Sequence, residues 1–115
     1  MRALETAGMS QRPCVSFLKA CKQAAQELLP GAVVILFGSQ ARGQATADSD
    51  YDLLVLTDSA ETPDRKQRLR DALYEVALRH DAVVSVFLYS RRRWESAPWR
   101  AMPLHQAVEA EGILI

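Results

Sequence analysis

Residues 32–37 read Ala-Val-Val-Ile-Leu-Phe, an unbroken apolar run rich in β-branched side chains. Successive side chains of a strand point to opposite faces. A run apolar at both parities therefore needs cover on both sides, which predicts an inner strand of a sheet packed on two faces. Two similar runs follow at residues 51–57 and 82–89. Between the runs the period changes. Cys14, Phe17, Leu18, Cys21, Ala24, Ala25 and Leu28 recur at helical spacing, with the helix expected to start near Ser10, to carry Pro13 in its first turn and to stop at Pro30-Gly31. Thr62-Pro63 reads as a cap followed by proline at the first helical position, opening a helix that runs to about His80. Its inner face is Leu69, Leu73, Val76 and Ala77, and its outer charges form a solvated face. Residues 90–99 should make a short helix or turn, residues 102–111 another helix, and the closing EGILI a short edge strand. Helices alternating with strands predict an α/β domain, a small mixed sheet backed by helices, over residues 10–115 behind a flexible tail at residues 1–9.

The 115 residues suffice for one domain, and 49% hydrophobic content is enough for a core without staples. Lys+Arg and Asp+Glu number 14 each, so no net field calls for nucleic acid or a membrane, and a preference for anions must be local. There is neither a bilayer-spanning stretch nor a signal peptide, which leads to the expectation of a cytoplasmic protein. Cys14 and Cys21 lie about 10 Å apart along a helix, too far for a disulfide, and read as apolar thiols.

Asp50 and Asp52 share one side of a strand with Cα atoms roughly 6.5–7 Å apart. Carboxylates that close repel unless a cation lies between them, and Mg²⁺ takes one or two carboxylates plus substrate phosphates. Asp48-Ser49-Asp50 as a plain turn is the bland alternative. Gly38-Ser39 ends the first strand, and Ser39 could cap a short helix there. Free N–H groups at such a turn bind phosphate, and glycine permits its close approach. An ordinary strand-to-helix turn is the alternative. Together, a phosphate turn ending one strand and an acid pair opening the next give the geometry for in-line nucleotidyl transfer.

The segment GSQARGQATADSDYDLLV resembles the minimal nucleotidyltransferases of the DNA polymerase beta superfamily, whose signature is Gly-Ser, ten residues, then Asp-x-Asp. Here these are Gly38-Ser39, residues 40–49, and Asp50-Tyr51-Asp52, and the closing Glu111-Gly112-Ile113 is compatible. The resemblance implies a nucleotidyltransferase fold, nucleotide phosphates bound at Gly38 and Ser39, and Mg²⁺ at Asp50 and Asp52. It also implies an ATP-type substrate and, for many such proteins, a role as antitoxin beside a HEPN-type toxin, some acting by AMP transfer to a toxin tyrosine.

That family usually carries a third carboxylate on the later strand, where this chain has Ser85, a poor base and a weak Mg²⁺ ligand. Asp81 is the nearest acid, four residues earlier at the mouth of the strand, and His80 reads as a helix C-terminal residue. Arg42 has two readings, a phosphate contact or a pair with a loop acid such as Asp48. Tyr51 should pack into the core. Arg91-Arg92-Arg93 reads as a solvated helix start, with an acidic partner or RNA as alternative, and Trp94 and Trp99 as packing anchors. The leading expectation is Mg²⁺-dependent transfer of AMP from ATP to a hydroxyl of a partner protein. The first rival is a binding module with a relic site, favoured by Ser85. The second is modification of a small molecule, for which an acceptor site would have to be shared across a homo-oligomer.

Overall fold

The computed structural model of the chain describes residues 1–4, 14–43 and 50–115. Its elements are β1 (Arg2–Ala3), α1 (Cys14–Leu28), β2 (Val33–Phe37), α2 (Ser39–Arg42), β3 (Tyr51–Thr57), α3 (Pro63–Arg79), β4 (Val84–Ser90), α4 (Arg91–Trp94), α5 (Ala97–Arg100), α6 (Pro103–Glu111) and β5 (Ile113–Leu114). The expected start of the first helix at Ser10 with Pro13 lies outside the described residues, as does most of the expected tail.

The doubly apolar run behaves as its pattern requires. β2 is the middle strand of a mixed sheet in the order β1-β5-β2-β3-β4. It runs antiparallel to both β3 and β5, while β3 and β4 are parallel, joined by the crossover helix α3. Val34 and Leu36 enter one core with Leu53 and Val55 of β3, beneath Phe17, Leu18 and Cys21 of α1 and Leu69 and Leu73 of α3. Ile35 and Phe37 enter a second core on the other face, with Leu54, Trp94 and Val108.

Two expectations change. EGILI does not end the sheet: β5 lies between β2 and β1, and Arg2–Ala3, read as part of a loose tail, pair with it as the outer strand. Residues 90–99 form two short helices, α4 and part of α5. The caps of α3 match their reading. The Thr62 side chain accepts from the Arg65 N–H, Pro63 is the first helical residue, and His80 is the C-cap. Asp81 follows with φ 53°, a left-handed turn that Asp tolerates, and delivers the chain into β4.

Two of the three arginines at residues 91–93 are tied to the fold. Arg91 pairs with Asp58 and donates to the Gly31 carbonyl, and Arg93 pairs with Glu61 and lies 4.4 Å over the Trp99 ring. Trp94 stacks on His105 at 4.4 Å, and both tryptophans contact Tyr89. They are packing anchors. Cys14 and Cys21 are free thiols, and burial pushes the Cys21 thiol up to about 12.

Candidate active site

The site begins where β2 leaves the sheet. Phe37, its last residue, pairs across the ladder with Asp52. The next residue, Gly38, has φ 77° and ψ −161°, a conformation essentially closed to side chains. A Cβ on Gly38 would stand 2.2 Å from Asp52 Oδ2, so the turn's backbone lies directly against that carboxylate. The β2–β3 register thus joins the two halves of the sequence signature. Gly38 is the N-cap of α2 and Ser39 its first residue, so the expectation that Ser39 caps this helix is corrected by one position. Arg42 ends α2, and its N–H donates to the Gly38 carbonyl at 3.1 Å.

Asp50 is exposed just ahead of β3, and Asp52 is half-buried within it. Burial raises the Asp52 carboxyl above the usual carboxylate range. The charge of Asp50 adds to this, Arg42 opposes it, and Glu111 adds again. Tyr51, between the acids, points to the opposite face and packs edge-on to Phe17 with ring centroids 5.0 Å apart, as expected.

Across the parallel ladder, Asp52 pairs with Ser85. The β4 position facing the acid pair is therefore a hydroxyl. Asp81, the sequence's alternative acid, sits in the left-handed turn ahead of β4, four residues before Ser85. Beside Ser85 and Asp50 a cleft of about 480 Å³ opens, walled by Tyr74, Ala77, Leu78 and Val83. A larger concavity of about 960 Å³, between α6 and the second sheet face, includes none of Asp50, Asp52 or Ser85 in its walls.

In the sequence Glu111 stands out only as part of a compatible closing segment, yet it meets the Gly38 turn. Its Oε1 accepts the Gly38 N–H at 3.0 Å, and its Oε2 pairs with Arg42 Nη1 at 2.9 Å. The β5 register explains the encounter. Leu36 pairs antiparallel with Ile113, so two residues onward on one strand and two backward on the other bring Gly38 opposite Glu111. Seventy-three residues separate the two along the chain, and only the sheet order reveals their proximity. Of the two readings of Arg42, the partner seen is Glu111, while Asp48 lies outside the described residues.

Among the described residues no group of three or more His, Cys, Asp or Glu side chains is arranged to hold a metal. Two neighbouring carboxylates, one of them disfavoured in its charged form, are nevertheless a donor set that suits a hard cation completed by phosphate oxygens.

The chain matches the nucleotidyltransferase domain family over residues 18–101. It is 40% identical over 78 residues to "Putative protein adenylyltransferase MJ1305" of Methanocaldococcus jannaschii, covering 66% of this chain and 52% of that protein. It is 36% identical over 58 residues to "Putative protein adenylyltransferase MJ0141" of the same organism, covering 50% and 59%. The matches thus span little more than half the length of these relatives. Among solved structures, a toxin–antitoxin with AMP-PNP aligns with a TM-score of 0.61 at 22% identity, covering 84% of this chain and 69% of that one. A tri-AMPylated Shewanella oneidensis HEPN toxin in complex with MNT antitoxin aligns with a TM-score of 0.57 at 18% identity, covering 87% and 69%. At these identities the structural likeness is one of fold.

Proposed function

The chain belongs to the nucleotidyltransferase domain family, and on that premise we propose that it transfers AMP from ATP, with Mg²⁺, to a hydroxyl of a partner protein in the cytoplasm. The observation that carries this is the contact of the Gly38 turn with the Asp52 carboxylate. A triphosphate bound at the turn would have its α-phosphate beside the acids. Gly38, Ser39 and Arg42 are assigned to the phosphates, and Asp50 and Asp52 to the cation. When bound, Mg²⁺ would neutralise charge on the phosphates and on the pyrophosphate leaving group.

In-line displacement brings the acceptor from the side opposite the leaving group. The phosphate turn lies on the β2 side of Asp52, so the acceptor is assigned to the β4 side, where the cleft beside Ser85 opens. The hydroxyl oxygen forms a bond to the α-phosphorus, the bond to the bridging oxygen breaks, and pyrophosphate departs. With serine rather than a carboxylate on β4, the hydroxyl proton passes to solvent at the open cleft. The partner class follows the relatives, one pair named "Putative protein adenylyltransferase" and the fold neighbours described as toxin–antitoxin assemblies. A HEPN-type toxin is the partner proposed.

The Asp52–Ser85 pairing favours a second reading, a nucleotide-binding antitoxin that acts by protein contact and turns over slowly or not at all. One experiment addresses both. The protein is incubated with α-³²P-labelled ATP, Mg²⁺ and a HEPN-type toxin as the candidate partner. Label on the partner that is lost with Asp52→Ala supports transfer. Tight nucleotide binding without label, with label appearing for Ser85→Asp, supports the binding module. No nucleotide binding at all sinks both readings.

A further inference from the structure

We propose that Glu111 is a positioning residue for nucleotide binding, holding the Arg42 guanidinium and the Gly38 backbone in the arrangement that receives the phosphates. This rests on the nucleotidyl-transfer reading above. The two chemical groups at issue are the cation and the strained backbone N–H of one turn. Both are engaged by the two oxygens of a single carboxylate, at 2.9 and 3.0 Å. A surface arginine left to itself samples many rotamers, and ordering it on binding costs affinity. Glu111 has already ordered this one. Its side chain is only 18% exposed, whereas Arg42 is 43% exposed and so remains reachable by a ligand. A guanidinium carries five N–H donors in a rigid fork, so a carboxylate at one end is compatible with a phosphate at another.

Arg42 and Glu111 both act electrostatically on Asp52, with opposite signs. Gly38, which donates to Glu111, lies directly against the Asp52 carboxylate, so the pair stands beside the acid assigned to the cation. Glu111 is itself fixed from two sides. Val108, one turn earlier in α6, is fully buried in the second core, and Gly112 hands the chain to β5 beside β2. The C-terminal helix thus sets the geometry of a turn that forms early in the sequence.

A residue that merely tethers α6 would change stability and leave nucleotide affinity alone. A residue that occupies the phosphate site would weaken binding by competition. The positioning role differs from both, and titration of the full chain separates them. The probe is Mg²⁺ with α,β-methylene-ATP, which cannot release pyrophosphate. Dissociation constants are measured calorimetrically for the wild type, Glu111→Gln, Arg42→Ala and the double variant, with a thermal melt of each. The expected result is roughly tenfold weaker binding for Glu111→Gln, since a charge-assisted pair is lost while an acceptor for the Gly38 N–H remains. In the Arg42→Ala background the same substitution should add little. Unchanged affinity with a lowered melting temperature would overturn the proposal in favour of a tether. Tighter binding would overturn it in favour of a competitor, and additive losses would show that Glu111 does not act through Arg42. If Glu111→Gln does not fold, Glu111→Asp is read in the same way. A wild type that binds no nucleotide fails the functional reading itself, an outcome distinct from every one that concerns Glu111 alone.

Discussion

Asp52 is held in an environment that disfavours its own charge. Burial is the main cause, and the carboxylates of Asp50 and Glu111 add to it against the partial relief of Arg42. A carboxyl raised in the folded state binds its proton more tightly there than in the unfolded chain. The stability this supplies is complete below the unfolded pKa and is lost as pH rises through the folded one. Once ionised, Asp52 is a charge that Arg42 only partly relieves in the nucleotide-free protein. Asp52→Asn should raise its melting temperature by roughly 2–5 °C at pH 7, a modest figure because solvent screens a half-exposed group. The gap should open as pH climbs out of the acidic range, and Mg²⁺ should stabilise the wild type but not the variant. Melts at several pH values with and without Mg²⁺ check this, and a gap that is constant across pH would contradict the account. A site residue that costs stability without its ligand is an ordinary trade between stability and function.

At the scale of elements, the junction between β2 and α2 does most to build the site. The strand must end within contact of Asp52, and the chain must turn through a conformation reserved for glycine. Gly38→Ala meets two obstacles, a strained φ and a Cβ overlapping the Asp52 carboxylate. The substitution should cost about 2 kcal/mol or more in urea unfolding and abolish nucleotide binding even where the fold survives. Wild-type affinity in Gly38→Ala would mean that the turn is not the phosphate site. Parts of this junction were legible in the sequence: the apolar run, the Gly-Ser, and the Asp-x-Asp ten residues on. The cap lies one residue earlier than the sequence suggests, because Gly38 and Ser39 both suit a helix start and the backbone conformation decides between them. The β4 position was legible too, since the parallel register sets Ser85 beside Asp52, the place where the resemblance calls for a third acid.

For the molecule as a whole, the two sheet faces are covered unequally. One carries the long helices α1 and α3, and the other carries α4, α5 and α6, of four, four and nine residues. Helices this short are not stable by themselves and depend on packing. Trp94 supplies much of that packing, buried against His105 and Tyr89. Trp94→Ala should cost about 3–5 kcal/mol. It should also speed amide exchange in α6 more than in α1 or α3, as hydrogen exchange by mass spectrometry would report. Equal acceleration everywhere would argue that the second face is not a separately anchored layer. No helix among the described residues is long and apolar enough to cross a membrane.

The sequence by itself determined the inner strand, the alternation of elements and the local signature. These depend on side-chain period, turn chemistry and short spacing, all written within a few residues of one another. Only the tertiary structure decided that Glu111 meets Gly38 and Arg42, that β5 lies beside β2 with Arg2–Ala3 outside it, and that two arginines of the 91–93 run serve internal pairs. Those facts depend on which strands become neighbours, a choice made by burying the faces of the whole sheet at once. Contacts across seventy-three residues are set by that global packing and leave no local periodicity to read.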